Sequence, residues 1–371
     1  MDLMLADVLA ISLGLTALAA WTLTLVAGPR LAAPQRSAWV LRQLSMLLLL
    51  VFVLAMALRS LEFGVDTAAY AEFFDDFCRR GAQRDAELSY RLSAQLLNAG
   101  MAGQCSVPLL PGAWALLVVG CLLFVAVPLS SPAEQQCLRW SFTALLMFSM
   151  VGVELVTNAL RQGLSVAVML LAISFWPRLR LTSAALALVA IGLHSSAALV
   201  VLAWAAARLP WRPFLAVLAG AVLYIAMLAL QADEVPALLE PLLFEITKYL
   251  AHDDDEIWVR VLAFAALAGS LAATRWTAPD SPSARTLRHD MAWGQALRLS
   301  VTCLPLLAVP YFGYRYIYGV YPVVLYLCLL AATRSGVPPT RLFLRLFLVN
   351  AAVMLVWAHG STSMQEVPFF D

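Results

Sequence analysis

Glu154, Asn158, Arg161, Gln162 and His194 stand in a stretch, Val151 to Ser196, that otherwise has the composition of bilayer-buried chain. A polar group left unpaired in hydrocarbon is costly, so such residues are expected to face a protein-lined, wet cavity and to serve function. Arg161 leads them. Its planar, permanently charged fork suits phosphate or pyrophosphate. The alternative is an arginine that snorkels to the headgroups, but Asn158 and Gln162 on adjoining helical faces favour a polar cluster. Arg59 and Arg315 are further candidates for the same role.

His194, followed by Ser195 and Ser196, interrupts an apolar run. As a neutral imidazole it can bind a hydroxyl or act as a general base, and the bland alternative is a satisfied structural histidine. The adjacent serines lack an acid partner, which argues against a hydrolase triad. Asp66 and Tyr70 are four apart and share a face on a helix. The carboxylate can orient or deprotonate a sugar hydroxyl and the tyrosine can stack on a pyranose; Asp66 can equally be a helix cap. His252 to Glu256 is the densest acidic run, read as a solvated loop rather than a cation site. Tyr311 to Tyr318 is rich in tyrosine around Arg315, as an interfacial belt or a carbohydrate groove would be.

The elements that must position these groups are membrane helices. Of 371 residues 62% are hydrophobic and 13% charged, and the mean hydropathy is +0.83, values that mark an integral membrane protein. A net charge of +1 gives no reason to expect nucleic acid as a partner. The first apolar segment, about Leu3–Ala27, lacks a basic start and reads as a retained helix rather than a signal peptide. A second follows at about Val40–Leu58, then a long polar segment, residues 59–107, in which Asp85 to Ala99 has amphipathic helical spacing. Further apolar segments are expected at about Leu109–Val127, Cys137–Val156, Leu164–Trp176, Leu181–Leu193, Ala197–Ala207, Phe214–Leu230, Ile257–Ala273, Ala292–Val309, Ile317–Ala332 and Leu342–Ala358. The expected fold class is an all-α polytopic membrane protein of about 10–12 transmembrane or re-entrant helices, forming one domain over residues 1–371.

Short cytoplasmic loops collect arginine, and the arginines balance only if the N-terminus is outside and the run Leu181 to Ala207 turns back at His194. Each half of that run would span about 18 Å against a hydrocarbon core of about 30 Å, so a re-entrant pair is expected. The external side then carries the 59–107 loop, the Asn158–Gln162 turn, the His194 turn, the acidic loop 231–256 and the Tyr311–Tyr318 turn. Cys78 and Cys105 flank the early loop and can pair if it faces an oxidising compartment. The other four cysteines read as small core residues, and no cysteine or histidine spacing suggests a metal site.

The string Asn158-Ala-Leu-Arg161-Gln162-Gly163, followed by His194-Ser195-Ser196, resembles the EpsG family of Wzy-like exopolysaccharide and O-antigen polymerases. Gly64-Val-Asp66-Thr-Ala-Ala-Tyr70 is similar to the family's G-x-D-x-x-x-Y loop, Glu87-Leu-Ser-Tyr90-Arg-Leu to its E-x-x-Y-x-L stretch, and Arg315-Tyr316 to its late turn. The insert between Phe74 and Asp85 departs from the pattern and bears on specificity. The resemblance implies a GT-C-like glycosyltransferase joining undecaprenyl-diphosphate-linked oligosaccharide repeat units at the outer face of the bacterial inner membrane, with no metal or other cofactor. It implies Arg161, His194 and Asp66 as catalytic residues. Arg59, Tyr70, Glu87, Asn158, Gln162, Arg315 and Tyr316 would bind substrate. The lipid bilayer, a chain-length regulator and a flippase are the implied partners. The alternatives are an O-antigen-ligase-like or single-sugar transferase, a flippase or transporter of lipid-linked sugars, and an acyltransferase. Against a transporter, the sequence shows no pair of halves with matching interrupted helices.

Overall fold

In the computed structural model every regular element among the described residues is helical. Those residues are 34–59, 65–81, 88–101, 103, 105–129, 131–157, 159–230, 257–277, 286–287, 290–305, 312–337 and 339–360. The expected first helix, Glu87, Asn158 and the acidic segment 231–256 lie outside them, as does the side chain of Asp66. In chain order the helices are α1 (Pro34–Leu58), α2 (Val65–Arg80), α3 (Leu88–Gly100), α4 (Leu110–Leu123), α5 (Pro132–Met147), α6 (Met150–Thr157) and α7 (Leu160–Phe175). They continue as α8 (Arg180–Leu193), α9 (Ser196–Ala206), α10 (Trp211–Leu230), α11 (Ile257–Thr277), α12 (Met291–Thr302), α13 (Phe312–Arg334) and α14 (Pro339–Gly360).

Four of these, α1, α11, α13 and α14, carry stretches long and apolar enough to cross a membrane, and α5 with α6 does so as a bent pair. The chain is a multi-pass membrane protein. Its two central helices are α7, buried continuously from Gln162 to Ser174, and α13, whose spanning stretch is 94% buried. By contrast, α1 buries Leu41, Leu48, Phe52 and Met56 while Leu47, Leu50, Leu54 and Leu58 stay exposed. An apolar outer stripe of that kind suits lipid, whose tails are as apolar as leucine.

The patterning predicts one continuous segment over Cys137–Val156, but the structure breaks it between α5 and α6 with a bend of 74°. Ser149 accounts for the break. Its Oγ donates to the Leu146 carbonyl at 2.6 Å and accepts from the Gly152 N–H at 3.0 Å, so one side chain closes α5 and caps α6. Glycine is needed on both sides of α6. A Cβ at Gly152 would stand 1.8 Å from the Leu146 carbonyl oxygen, and one at Gly163 would stand 2.0 Å from that of Leu155.

The chain reverses at His194. Ser165 Oγ donates to the Ala190 carbonyl at 2.8 Å and Ser183 Oγ to the Ala172 carbonyl at 2.6 Å, which lays α8 antiparallel on α7. On the way back, Trp204 of α9 meets Trp176 at the end of α7, with ring centroids 5.8 Å apart. Arg208 caps the pair, its guanidinium carbon 5.0 Å from the Trp204 ring. The hairpin therefore opens at the Trp176 end and turns at the Arg161 end. Cys78 of α2 and Cys105, ahead of α4, form a disulfide. It closes a loop of 27 residues, which constrains the unfolded chain by roughly 3 kcal/mol.

The close pass of α6 over α7 makes Gly163→Ala a direct check. Because backbone rather than a flexible side chain stands in the way, the substitution is expected to cost at least about 1–3 kcal/mol. Thermal melting of the purified protein in detergent should shift down accordingly. An unchanged melting temperature would mean that the two helices do not approach as described.

Candidate active site

The start of α7 is held from three directions. From α4, the Trp114 indole N–H donates to the Leu160 carbonyl at 3.0 Å, satisfying a backbone acceptor in a buried setting. From α13, the Arg315 carbonyl accepts a hydrogen bond from Gln162 Nε2. Beneath, Gly163 lets α6 approach. Arg161 is thereby fixed at a junction of α2, α4, α6 and α13 rather than on a free helix end.

Tyr70 completes the setting of Arg161. Its hydroxyl accepts from Arg161 Nε at 2.8 Å, and its ring centroid lies 5.9 Å from the guanidinium carbon and 6.1 Å from the Trp114 ring. The Nε–H bond restrains the guanidinium against the Tyr70 ring. Tyr70 is itself buried, with Phe73, Phe74, Ser93, Ala94, Leu97, Leu110 and Trp114 around the same small cavity.

Arg59 lies just past α1 and is only 4% exposed. Its Nη2 donates to Thr67 Oγ1 at 3.1 Å and to the Val156 carbonyl at 3.3 Å. Thr67 Oγ1 in turn donates to the Thr157 carbonyl at 2.8 Å. Burial pulls the Arg59 guanidinium down to about 10, which leaves it charged near neutrality. Arg59 thus ties the ends of α1 and α6 to the start of α2, next to Tyr70.

His194 sits in the break between α8 and α9. Its Nδ1 lies 2.7 Å from Ser196 Oγ and accepts from the Ser196 N–H at 3.2 Å. Burial first, then the positive charges of Arg315 and Arg161, holds the imidazole well below its usual range, at about 3. Both arginines therefore lie within electrostatic reach of the ring, and the ring is neutral at physiological pH.

The structure thus brings Arg161, Tyr70, Gln162, Arg315 and His194 to one end of the bundle, with Arg59 beside them. Gln162 is 1% exposed; its amide nitrogen is committed to Arg315, and its Oε1 is buried with no hydrogen-bond partner among the described residues. Tyr316 is directed elsewhere: its hydroxyl and Thr302 Oγ1 are 2.8 Å apart, bracing α12 against α13. Asp66 begins α2 one turn before Tyr70. Glu87 and Asn158 lie outside the described residues, and among those described no three His, Cys, Asp or Glu side chains gather as a metal set would.

Sequence reasoning passed over Trp114 and Thr67, whose roles depend on contacts 46 and 90 residues away. Thr67 carried a faint signal, being inside the Gly64–Tyr70 stretch; Trp114 carried none, since a tryptophan in an apolar run reads as core. Arg260, 7% exposed near the start of α11, was also missed. No curated protein and no solved structure matches the chain. A family model does, that of the EpsG family, over residues 43–370. The match takes in every residue of the cluster around Arg161, and the chain belongs to the EpsG family, as a membrane protein of exopolysaccharide biosynthesis.

Proposed function

We propose that the protein is a polysaccharide polymerase of GT-C-like type. It joins oligosaccharide repeat units carried on undecaprenyl diphosphate, at the outer face of the bacterial inner membrane. The observation that carries the reading is the Arg161 guanidinium, oriented by Tyr70 and within electrostatic reach of His194, which Arg315 reaches from α13. A diphosphate is the leaving group that such a cationic cluster serves best. In the reaction, a hydroxyl oxygen of the next unit attacks the anomeric carbon of the growing chain. The bond from that carbon to the diphosphate oxygen breaks, and its electron pair stays on the lipid diphosphate.

Arg161 meets the charge that develops there, with Arg315 and Arg59 as helpers. The acceptor proton passes to Asp66, His194 or Glu87. Gln162, Asn158 and Tyr70 hold the sugars in register, Gln162 through its buried Oε1, which has no partner among the described residues. The outward orientation is supported by the Cys78–Cys105 disulfide, because Cys78 shares α2 with Tyr70 and disulfides persist in oxidising compartments.

Arg161→Ala should insert and fold normally, while turnover falls by about 10²- to 10³-fold, as for loss of one oxyanion contact. Cells should accumulate single repeat units on lipid at the outer leaflet, scored by electrophoresis and by a probe restricted to the periplasm. Long-chain polymer at the normal level would remove Arg161 from the reaction, and units trapped on the cytoplasmic leaflet would make the protein a flippase.

Orientation has its own test. In spheroplasts, a membrane-impermeant maleimide should label Cys78 and Cys105 only after reduction. Labelling confined to inverted vesicles would put the cluster on the cytoplasmic side.

A further inference from the structure

The His194 turn offers its surroundings one hydrogen-bond donor, and its own contacts decide which nitrogen carries it. A backbone N–H can only donate, so the Ser196 N–H at 3.2 Å requires a lone pair on His194 Nδ1. Ser196 Oγ, 2.7 Å from the same nitrogen, is then a second donor to it. A proton on Nδ1 would face the Ser196 N–H head-on. The neutral ring therefore carries its proton on Nε2. The remaining first-turn N–H groups of α9 are occupied locally, Ala197 by the His194 carbonyl at 3.1 Å and Ala198 by the Ser195 carbonyl at 3.0 Å. The helix terminus is thus not itself an anion site, and the imidazole is what the turn presents.

We infer that His194 is a neutral hydrogen-bond donor, through Nε2–H, to the diphosphate oxygen that departs, and that it is not the base for the acceptor hydroxyl. This rests on the polymerase reading and assigns one residue's part within it. Two arginines, Arg161 from α7 and Arg315 from α13, act on the ring electrostatically; such a field attracts an anion and repels a proton. A base there would have to become imidazolium within electrostatic reach of two guanidinium groups. A donor stays neutral throughout. The balance of the step is kept: the acceptor proton goes to a carboxylate, for which Asp66 is the candidate, and the anomeric C–O electron pair goes to the diphosphate oxygen that Nε2–H contacts. His194 keeps its own proton.

The test uses the full-length protein in nanodiscs. With histidine labelled by nitrogen-15 and the His194 signals identified by their loss in His194→Gln, the shifts should report a proton on Nε2 and none on Nδ1 from about pH 5 to pH 8. Added inorganic pyrophosphate should move the Nε2–H resonance. A proton on Nδ1, or a ring that titrates within that range, overturns the inference whatever the protein's activity.

Turnover with lipid-diphosphate-linked repeat units gives the second readout. His194→Gln, which retains an N–H donor, should stay within about tenfold of wild type and keep its pH profile, whereas His194→Ala should lose roughly 10- to 100-fold, the range of a hydrogen bond to a charged group. Equal loss in both variants, with a wild-type rate that falls as pH drops through the ordinary imidazole range, identifies a base instead. Absence of polymer from wild-type protein, with the Nε2 tautomer intact, would count against the polymerase reading and leave the tautomer standing.

Discussion

The bond between Arg161 Nε and the Tyr70 hydroxyl joins two parts of the chain that sequence separates by 91 residues, and the polar residues at one end of the bundle gather around it. A guanidinium inside a protein keeps its charge, so the fold must supply acceptors in the plane of the fork. Here they are neutral oxygens at fixed positions: Tyr70 for Arg161, and Thr67 with the Val156 carbonyl for Arg59. A neutral acceptor can orient a cation without itself contributing a negative charge. That is the arrangement the proposed reaction asks for, in which a negative charge develops on the leaving group.

Fixing those positions requires helices that stop short. A helix of 16 residues such as α7 is about 24 Å long, less than the hydrocarbon core of about 30 Å. It cannot cross such a core alone, and within the membrane-embedded bundle the chain breaks again at Ser149 and at His194. Irregular backbone at that depth is tolerated only where protein or water surrounds it. The buried faces of α4 and α13 provide the protein: Trp114 donates to the Leu160 carbonyl and Gln162 to that of Arg315, while Ser149 bridges the break between α5 and α6.

How much of this was written locally varies with the kind of interaction. The spans were legible because apolar length is a property of the segment itself, and the turn at His194 followed from counting arginines against the positive-inside bias. Polar residues in apolar surroundings also announce themselves, which is why Arg161, Gln162 and His194 stand out in the sequence. The bend between α5 and α6 was not, since Phe148 and Ser149 leave the hydropathy of Cys137–Val156 unbroken. Arg315-Tyr316 showed the limit of adjacency. The Arg315 charge acts on His194, whereas the hydroxyl of its sequence neighbour Tyr316 is paired with Thr302 of α12. Side-chain direction at that level is set by packing of the whole bundle, and no local pattern encodes it.

Depth bears on substrate. A lipid-linked sugar has its tail in hydrocarbon, its saccharide in water and its diphosphate between them, so an enzyme acting on the diphosphate needs cations at headgroup level or slightly below. A full-length span would carry its terminal arginine to the aqueous edge, where water competes for it and the charge is screened. Arg161, in the first turn of α7 and bonded to the buried Tyr70, is partly withdrawn from water into protein, where each charge–charge contact is stronger. The same surroundings keep His194 neutral. Enclosure by neighbouring helices thus strengthens the electrostatic reach of the arginine and, with the charges of Arg315 and Arg161, makes the histidine a poor proton acceptor.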